Sequence, residues 1–236
     1  MPTSAWPQQS FLGRLSPPAR ERLLGLGHQR SFQRGEVLSR QDERTTRIEV
    51  LLRGHCSVLA AAESGEVLLD ILDPGSLVGE MAVIDAQPNM ASVVARGVVL
   101  AATIDSGAFL AYLSESPEAS TALMKVMAER IRRSNDYRID AARYDVETRV
   151  ARALLYQVER HASLGGWQRG ARARPFTIDL RQSELAMLVG AKEGTVQKLL
   201  SRGRLSGLVK SVRGRIAIYD PVGLARLAEF AHEDVR

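Results

Sequence analysis

The 236-residue sequence predicts an α+β fold: an all-β N-terminal module, one long helix, and a helical C-terminal module carrying a β-hairpin. Three observations lead there. Between residues 31 and 106, short apolar runs are cut by Gly-containing turns, the pattern of a sandwich or barrel. From Pro117 to about Tyr144 there is no glycine and no interior proline, and apolar residues recur at spacings of three and four. Residues 182–201 then fit a helix-turn-helix, and a hairpin pattern follows.

Taken in order, residues 11–27, "FLGRLSPPARERLLGLG", form a short helix. Ser16 can cap it, Pro17 suits its first turn, and Gly25 and Gly27 end it. The strands are read from "IEVLL" (48–52), "CSVLA" (56–60), "VLLDIL" (67–72), "SVVA" (92–95) and "VVLAATI" (98–104). Several are apolar on both faces, so their sheet packs against another layer. The long helix carries one stripe, Met124, Met127, Ile131, Asn135, Ile139, Ala142 and Val146, along about 40 Å. A narrow stripe of that length suits a seam with a second copy of the chain, and packing on its own domain is the alternative. Asn135 on the stripe suits a register-fixing polar residue. Asp145 caps the next helix, and Glu147 in its first turn suits the dipole. The reading divides the chain into an N-terminal β module at 1–116, a long helix and hinge at 117–145, and a C-terminal module at 146–236.

Charge is unevenly spread. Residues 1–145 hold 16 Lys/Arg and 18 Asp/Glu, net −2, whereas residues 146–236 hold 16 and 9, net +7. A basic C-terminal module points to nucleic acid. Cys56 is the sole cysteine, which excludes an internal disulfide and fits a reducing cytoplasm. No apolar run reaches the length of a membrane span, and the N-terminus lacks a signal-peptide pattern. The four histidines, 28, 55, 161 and 232, are scattered, and "GSLVGE" lacks the Lys-Ser/Thr of a P-loop. An enzyme is not indicated and no metal site is expected. The stretch "SLGGWQRGARARP" (163–175) reads as a solvated basic surface loop.

In "QSELAMLVGAKEGTVQKLLS" (182–201), Leu185, Leu188, Val189, Val196 and Leu199 fall at helical spacing around Gly190. Ala186 is small where two helices cross, and Gly190 supplies the positive φ of a tight turn. Asp179 with Gln182 forms a candidate capping box. The second helix starts near Glu193 and presents Lys192, Glu193, Gly194, Gln197 and Lys198 to a major groove. Lysine can donate to guanine, glutamine can bridge adenine and glutamate can accept from cytosine. Thr195 suits a phosphate or a thymine methyl, and Arg181 ahead of the first helix joins the set. In "GLVKSVRGRIAIYD" (207–220), a hairpin places Arg213 and Arg215 at its tip as phosphate contacts.

One stretch, "VGEMAVIDAQPNMAS" (78–92), has the shape of a phosphate cradle without a cation. Together with "RGEVL" (34–38), "LLRG" (51–54), "DPGSLVGEMAVID" (73–85), "YDV" (144–146) and the helix-turn-helix, it resembles the CRP/FNR transcription regulators over roughly residues 10–230. The resemblance implies a β-roll of cyclic-nucleotide-binding type (a double-stranded jelly roll), a dimerisation helix and a winged helix-turn-helix. It implies as partners duplex DNA with a pseudo-palindromic operator, a second copy of the chain and RNA polymerase, with no membrane. The family cassette runs Gly-Glu, an apolar run, then Pro-Arg-x-Ala-Ser/Thr-Val. Here Gly79, Glu80, Asn89 and Met90 occupy its contact positions. The Glu holds a ribose hydroxyl in cyclic-AMP-binding members, and the phosphate-neutralising Arg has become Asn89. The base-reaching pair falls at Ser134 and Asn135. An anion without a counter-charge costs several kcal/mol in a partly buried pocket, and each ~1.4 kcal/mol is tenfold in affinity. The cassette therefore predicts no cyclic AMP dependence, with no effector, another small effector or weak nucleotide binding as the outcomes. Glu193, Gly194 and Lys198 depart from the family's commonest base readers, and Gly203 falls where an apolar residue is usual.

Overall fold

The computed structural model describes residues 6–63, 65–161 and 175–229. The chain divides into two compact units, residues 1–130 and 131–236.

In the first unit a 3-10 turn (Leu12–Arg14) precedes α1 (Pro17–Leu24). Strands β1 (His28–Phe32), β8 (Val99–Asp105), β3 (Arg47–Arg53) and β6 (Leu77–Val78) make one antiparallel sheet in the order β1-β8-β3-β6. Strands β2 (Val37–Ser39), β7 (Ser92–Ala95), β4 (Cys56–Ala62) and β5 (Gly65–Leu72) make a second, in the order β2-β7-β4-β5. Alternating side chains from the two sheets close over one core: Phe32, Leu51, Val78, Val99 and Ala101 from the first, Leu38, Cys56, Leu72, Val93 and Ala95 from the second. The other face of the first sheet, through Ile48, Val50, Leu77, Ala102 and Ile104, packs on the N-terminal segment and on α3 (Ser106–Glu115). The start of α4 (Pro117–Arg143) completes that layer with Ala119, Ala122 and Leu123. Two-sided burial of this sheet explains the apolar runs with no polar alternation. The short helix α2 (Glu80–Ile84) interrupts the roll.

Among the elements that escape the sequence pattern, three do so for clear physical reasons. β1 is an edge strand with four exposed residues, and only Phe32 is buried. α3 continues directly from the apolar run of β8, with Asp105 capping it by accepting from the amides of Gly107 and Ala108. β9 (Phe176–Ile178) is three residues long. The expected Ser16 cap is absent: its hydroxyl donates to the Glu118 carboxylate at 2.9 Å, tying α1 to α4.

In the second unit α5 (Val146–His161) begins at Asp145, whose carboxylate accepts from the Thr148 amide at 2.7 Å as expected of the cap. α6 (Gln182–Leu188) and α7 (Glu193–Arg202) follow β9, and then β10 (Val209–Val212), β11 (Arg215–Ile218) and α8 (Pro221–Glu229). β10, β11 and β9 form a three-stranded antiparallel sheet. Val150, Leu154, Leu180, Leu185, Val196, Val209, Ile216 and Leu224 are fully buried in this unit. The basic loop read at 163–175 lies outside the described residues apart from Pro175.

Candidate nucleotide cassette and DNA-reading surface

Gly79 leaves β6 with φ +86° and hands the chain to α2, whose first residue is Glu80. Glu80 is 2 % exposed, and a carboxylate so buried requires a counter-charge. Arg130 of α4 supplies it, through an ion pair from Nη1 to Oε1. Glu80 is thus already neutralised, although a carboxylate has acceptor capacity for a second donor such as a hydroxyl. Sequence reading missed Arg130, because its partner lies 50 residues away.

Asn89 is 7 % exposed. Its Nδ2 donates to the carbonyls of Arg40 at 3.0 Å and Glu43 at 2.8 Å. The main chain adds two bonds, Asn89 N to Glu43 O at 2.9 Å and Asp42 N to Asn89 O at 2.8 Å. Asn89 therefore staples the segment between β2 and β3 to the cassette, and both amide protons are committed to that task. The position read from the sequence as a ligand contact thus spends its amide protons on the fold. Met90 is 65 % exposed. Ser134 and Asn135 are exposed on α4. Along that helix Met124 (63 %), Ile131 (62 %) and Ile139 (46 %) are exposed, whereas Met127 packs against the core of the first unit.

Two buried groups in the roll titrate abnormally. Burial pushes the Cys56 thiol up to about 12 against the pull of Arg96, leaving it protonated at neutral pH. Glu49, opposite Thr103 on β8, is 2 % exposed. Burial raises its carboxyl above the ordinary range despite the Thr103 hydroxyl bond at 2.6 Å and nearby Arg47, Arg30 and His28.

The helix-turn-helix forms where expected. Gly190 has φ +61°, the left-handed turn between α6 and α7, and Ala186 is buried at the crossing. The capping box differs from the one expected: Glu184, not Asp179, serves α6, its carboxylate accepting from the Arg181 amide at 2.8 Å. A bend separates β9 from α6, which puts Asp179 beside Arg215 at 3.4 Å instead. On α7, Val196 and Leu200 are buried. Lys192, Glu193, Gly194, Thr195, Gln197 and Lys198 are all exposed, as is Arg181. The spacing of buried and exposed positions gives α7 one free polar face. The wing is a two-residue turn, Arg213 at φ +51° and Gly214 at φ +75°. Arg213 alone of the two expected arginines sits in the turn, and Arg215 starts β11.

Behind α7 lies an ion cluster invisible to sequence pattern. Glu147 accepts from Arg204 Nε at 2.9 Å, and Asp145 from Arg204 Nη2 at 3.3 Å. Both carboxylates raise the Arg204 pKa, the Glu147 bond foremost. Asp145 is pushed up by burial, but the bonds from Thr148 and the charge of Arg204 outweigh it and hold it below its ordinary value. Gly203 is accounted for here. A Cβ would sit 2.3 Å from Glu147 Oε1 and 2.9 Å from the Leu199 carbonyl, so only glycine lets this carboxylate close against the end of α7. On the preceding side Arg152 pairs with Asp140 at 2.8 Å and lies over the Tyr144 ring at 5.1 Å.

A β-roll carrying the cassette, followed by a basic helix-turn-helix with a wing, defines a DNA-binding transcription regulator. Residues 29–116 match the cyclic nucleotide-binding domain, and residues 148–227 match the Crp-like helix-turn-helix domain. A CRP-like cAMP-activated global transcriptional regulator of Mycobacterium tuberculosis is 33 % identical over 198 residues, 84 % of this chain and 86 % of that protein. The solved structure of a c-di-GMP responsive global regulator of Xanthomonas campestris shares the fold, with TM-score 0.68 and 20 % identity over 86 % of this chain and 99 % of the other. A CRP/FNR family regulator of Thermus thermophilus aligns with TM-score 0.63 and 25 % identity over 86 % and 98 %. The chain belongs to the CRP/FNR family of transcription regulators, which are not enzymes. No group of three metal-ligating side chains occurs among the described residues, and no described helix is long and apolar enough to cross a membrane.

Proposed function

We propose that this chain works as a homodimer that reads a pseudo-palindromic duplex site, and that its β-roll does not depend on cyclic AMP. The observation that carries the DNA reading is the free face of α7, where Lys192, Glu193, Thr195, Gln197 and Lys198 stand exposed over a buried Val196 and Leu200. In this reading Gln197 and Lys198 contact base edges, while Arg181, Arg213 and Arg215 contact phosphates. Gly194 leaves a gap in the reading face. The dimer is supported by the exposed apolar stripe Met124, Ile131 and Ile139 on α4, which a second copy would bury. The functional division is a sensor at 1–116, a dimerisation helix and hinge at 117–145 and a reader at 146–236, with RNA polymerase as the further partner.

The effector reading rests on Asn89. Its amide protons are taken by two carbonyls, so the cassette offers a cyclic phosphate no guanidinium from this position. Calorimetric titration with cyclic AMP, cyclic GMP and cyclic di-GMP tests it. The expected cyclic AMP Kd is weaker than about 1 μM, and a tighter one, beyond roughly −8 kcal/mol, would defeat the reading. A second reading, a cyclic-AMP-responsive regulator with atypical phosphate contacts, is favoured by Arg130 beside Glu80 and by the cAMP-activated relative. On that reading Gly79, Glu80, Met90, Ser134 and Asn135 contact the nucleotide, and Arg130→Gln weakens binding at least tenfold.

A further inference from the structure

Beside the cassette, where Gly79 packs against Thr45 and Arg47, the protein has a concavity of about 300 Å³. Val37, Leu38 and Ser39 of β2, residues 40 and 43–46 of the following segment, Arg47 at the start of β3, and Asn89 line it. Neither Gly79 nor Glu80 contributes. Three arginines, Arg40, Arg44 and Arg47, and one carboxylate-bearing residue, Glu43, are among the lining residues. We propose that this concavity is a binding site for a small phosphate-bearing molecule, held by Arg40, Arg44 and Arg47.

Four features carry the proposal. The lining has a net charge of +2. Two of the arginines are tethered while keeping donors free: Arg44 Nη1 donates to the Ala86 carbonyl at 3.1 Å, and Arg47 Nε lies 3.7 Å from Glu49 Oε1. A guanidinium has five N–H donors in a planar fork, so one such contact leaves most of it available to phosphate oxygens. The carbonyls of Arg40 and Glu43, which would repel an anion, are already occupied by Asn89 Nδ2. Replacing the cassette arginine by Asn89 thus removes a cation from one pocket and shields two carbonyls in another. Shape selects the ligand class: a concavity at the small end of small-molecule sites suits a compact phosphate, not the convex rail of a duplex.

The proposal rests on the reading of the first unit as a small-molecule sensor, but not on DNA recognition. The test is equilibrium titration of the full chain with inorganic pyrophosphate and, separately, cyclic AMP. Arg40→Gln and Arg44→Gln are compared with Arg53→Gln, an exposed arginine outside the site. Saturable pyrophosphate binding that falls at least tenfold in both variants, weakens with salt and is unchanged in Arg53→Gln is expected. Competition by cyclic AMP for that binding would make the occupant a nucleotide, and its failure to compete would make it a free phosphate compound. No saturable binding of either probe at 1 mM in low salt, or binding indifferent to Arg40 and Arg44, overturns the proposal. Duplex binding measured on the same preparations reports separately on the regulator reading.

Discussion

At the scale of single residues, buried polar groups decide the cassette's character. Asn89 joins the segment before β3 through two side-chain bonds to carbonyls, so Asn89→Ala strips the Arg40 carbonyl of this donor and leaves the Glu43 carbonyl only the main-chain amide of residue 89. A loss of about 1–3 kcal/mol in stability is expected, read as a lower urea midpoint with an unchanged m-value. No change in midpoint would deny the staple. Glu49 gives a pH prediction. Its carboxyl is raised in the folded state, so folding favours the protonated form. Its contribution is most favourable below the ordinary carboxylate pKa and is lost as pH rises through the raised folded value. Glu49→Gln should therefore stabilise the protein more at pH 7 than at pH 4, as measured by denaturation at both. Cys56, fully buried with its thiol pushed up to about 12, should resist alkylation in the native protein and react once it is unfolded.

At the scale of elements, α4 and the end of α7 each expose a contact that a single substitution can break. Ile131 is 62 % exposed on the α4 stripe, and Ile131→Glu should convert a sedimenting dimer to a monomer with no loss of helix content. A dimer that survives would place the seam elsewhere. At Gly203 a Cβ meets Glu147 and the Leu199 carbonyl, so Gly203→Ala should displace the Glu147–Arg204 pair and lower the midpoint of the second unit. The elements legible in the sequence were those with a clear period or punctuation. The 27-residue helix, Pro117 at its start, Asp145 at the next cap and Gly190 in the turn were all readable, because each is fixed by local stereochemistry. β1, α3 and β9 were not, because an exposed edge, a helix fused to a strand and a three-residue strand leave no periodic mark. The roles of Glu80, Asn89 and Arg215 were likewise out of reach. Their partners are Arg130, the carbonyls at 40 and 43, and Asp179, and no spacing announces contacts across 36 to 50 residues.

At the scale of the whole molecule, the net +7 of residues 146–236 against −2 for residues 1–145 puts the basic excess in the part of the second unit that holds the helix-turn-helix. Binding that depends on Arg181, Lys192, Lys198, Arg213 and Arg215 should weaken steeply with salt, since each neutralised phosphate releases counterions. In the proposed dimer, two copies joined through α4 would carry two reading helices, and two-fold symmetry would require a matching pair of half-sites. The most direct measurement is selection of bound duplexes from a fully randomised pool by the purified chain. The account predicts enrichment of a pseudo-palindrome whose half-sites lie about 10 base pairs apart, centre to centre, or a multiple of that spacing. Recovery of sequences with no common element, or of one unpaired half-site, would contradict it.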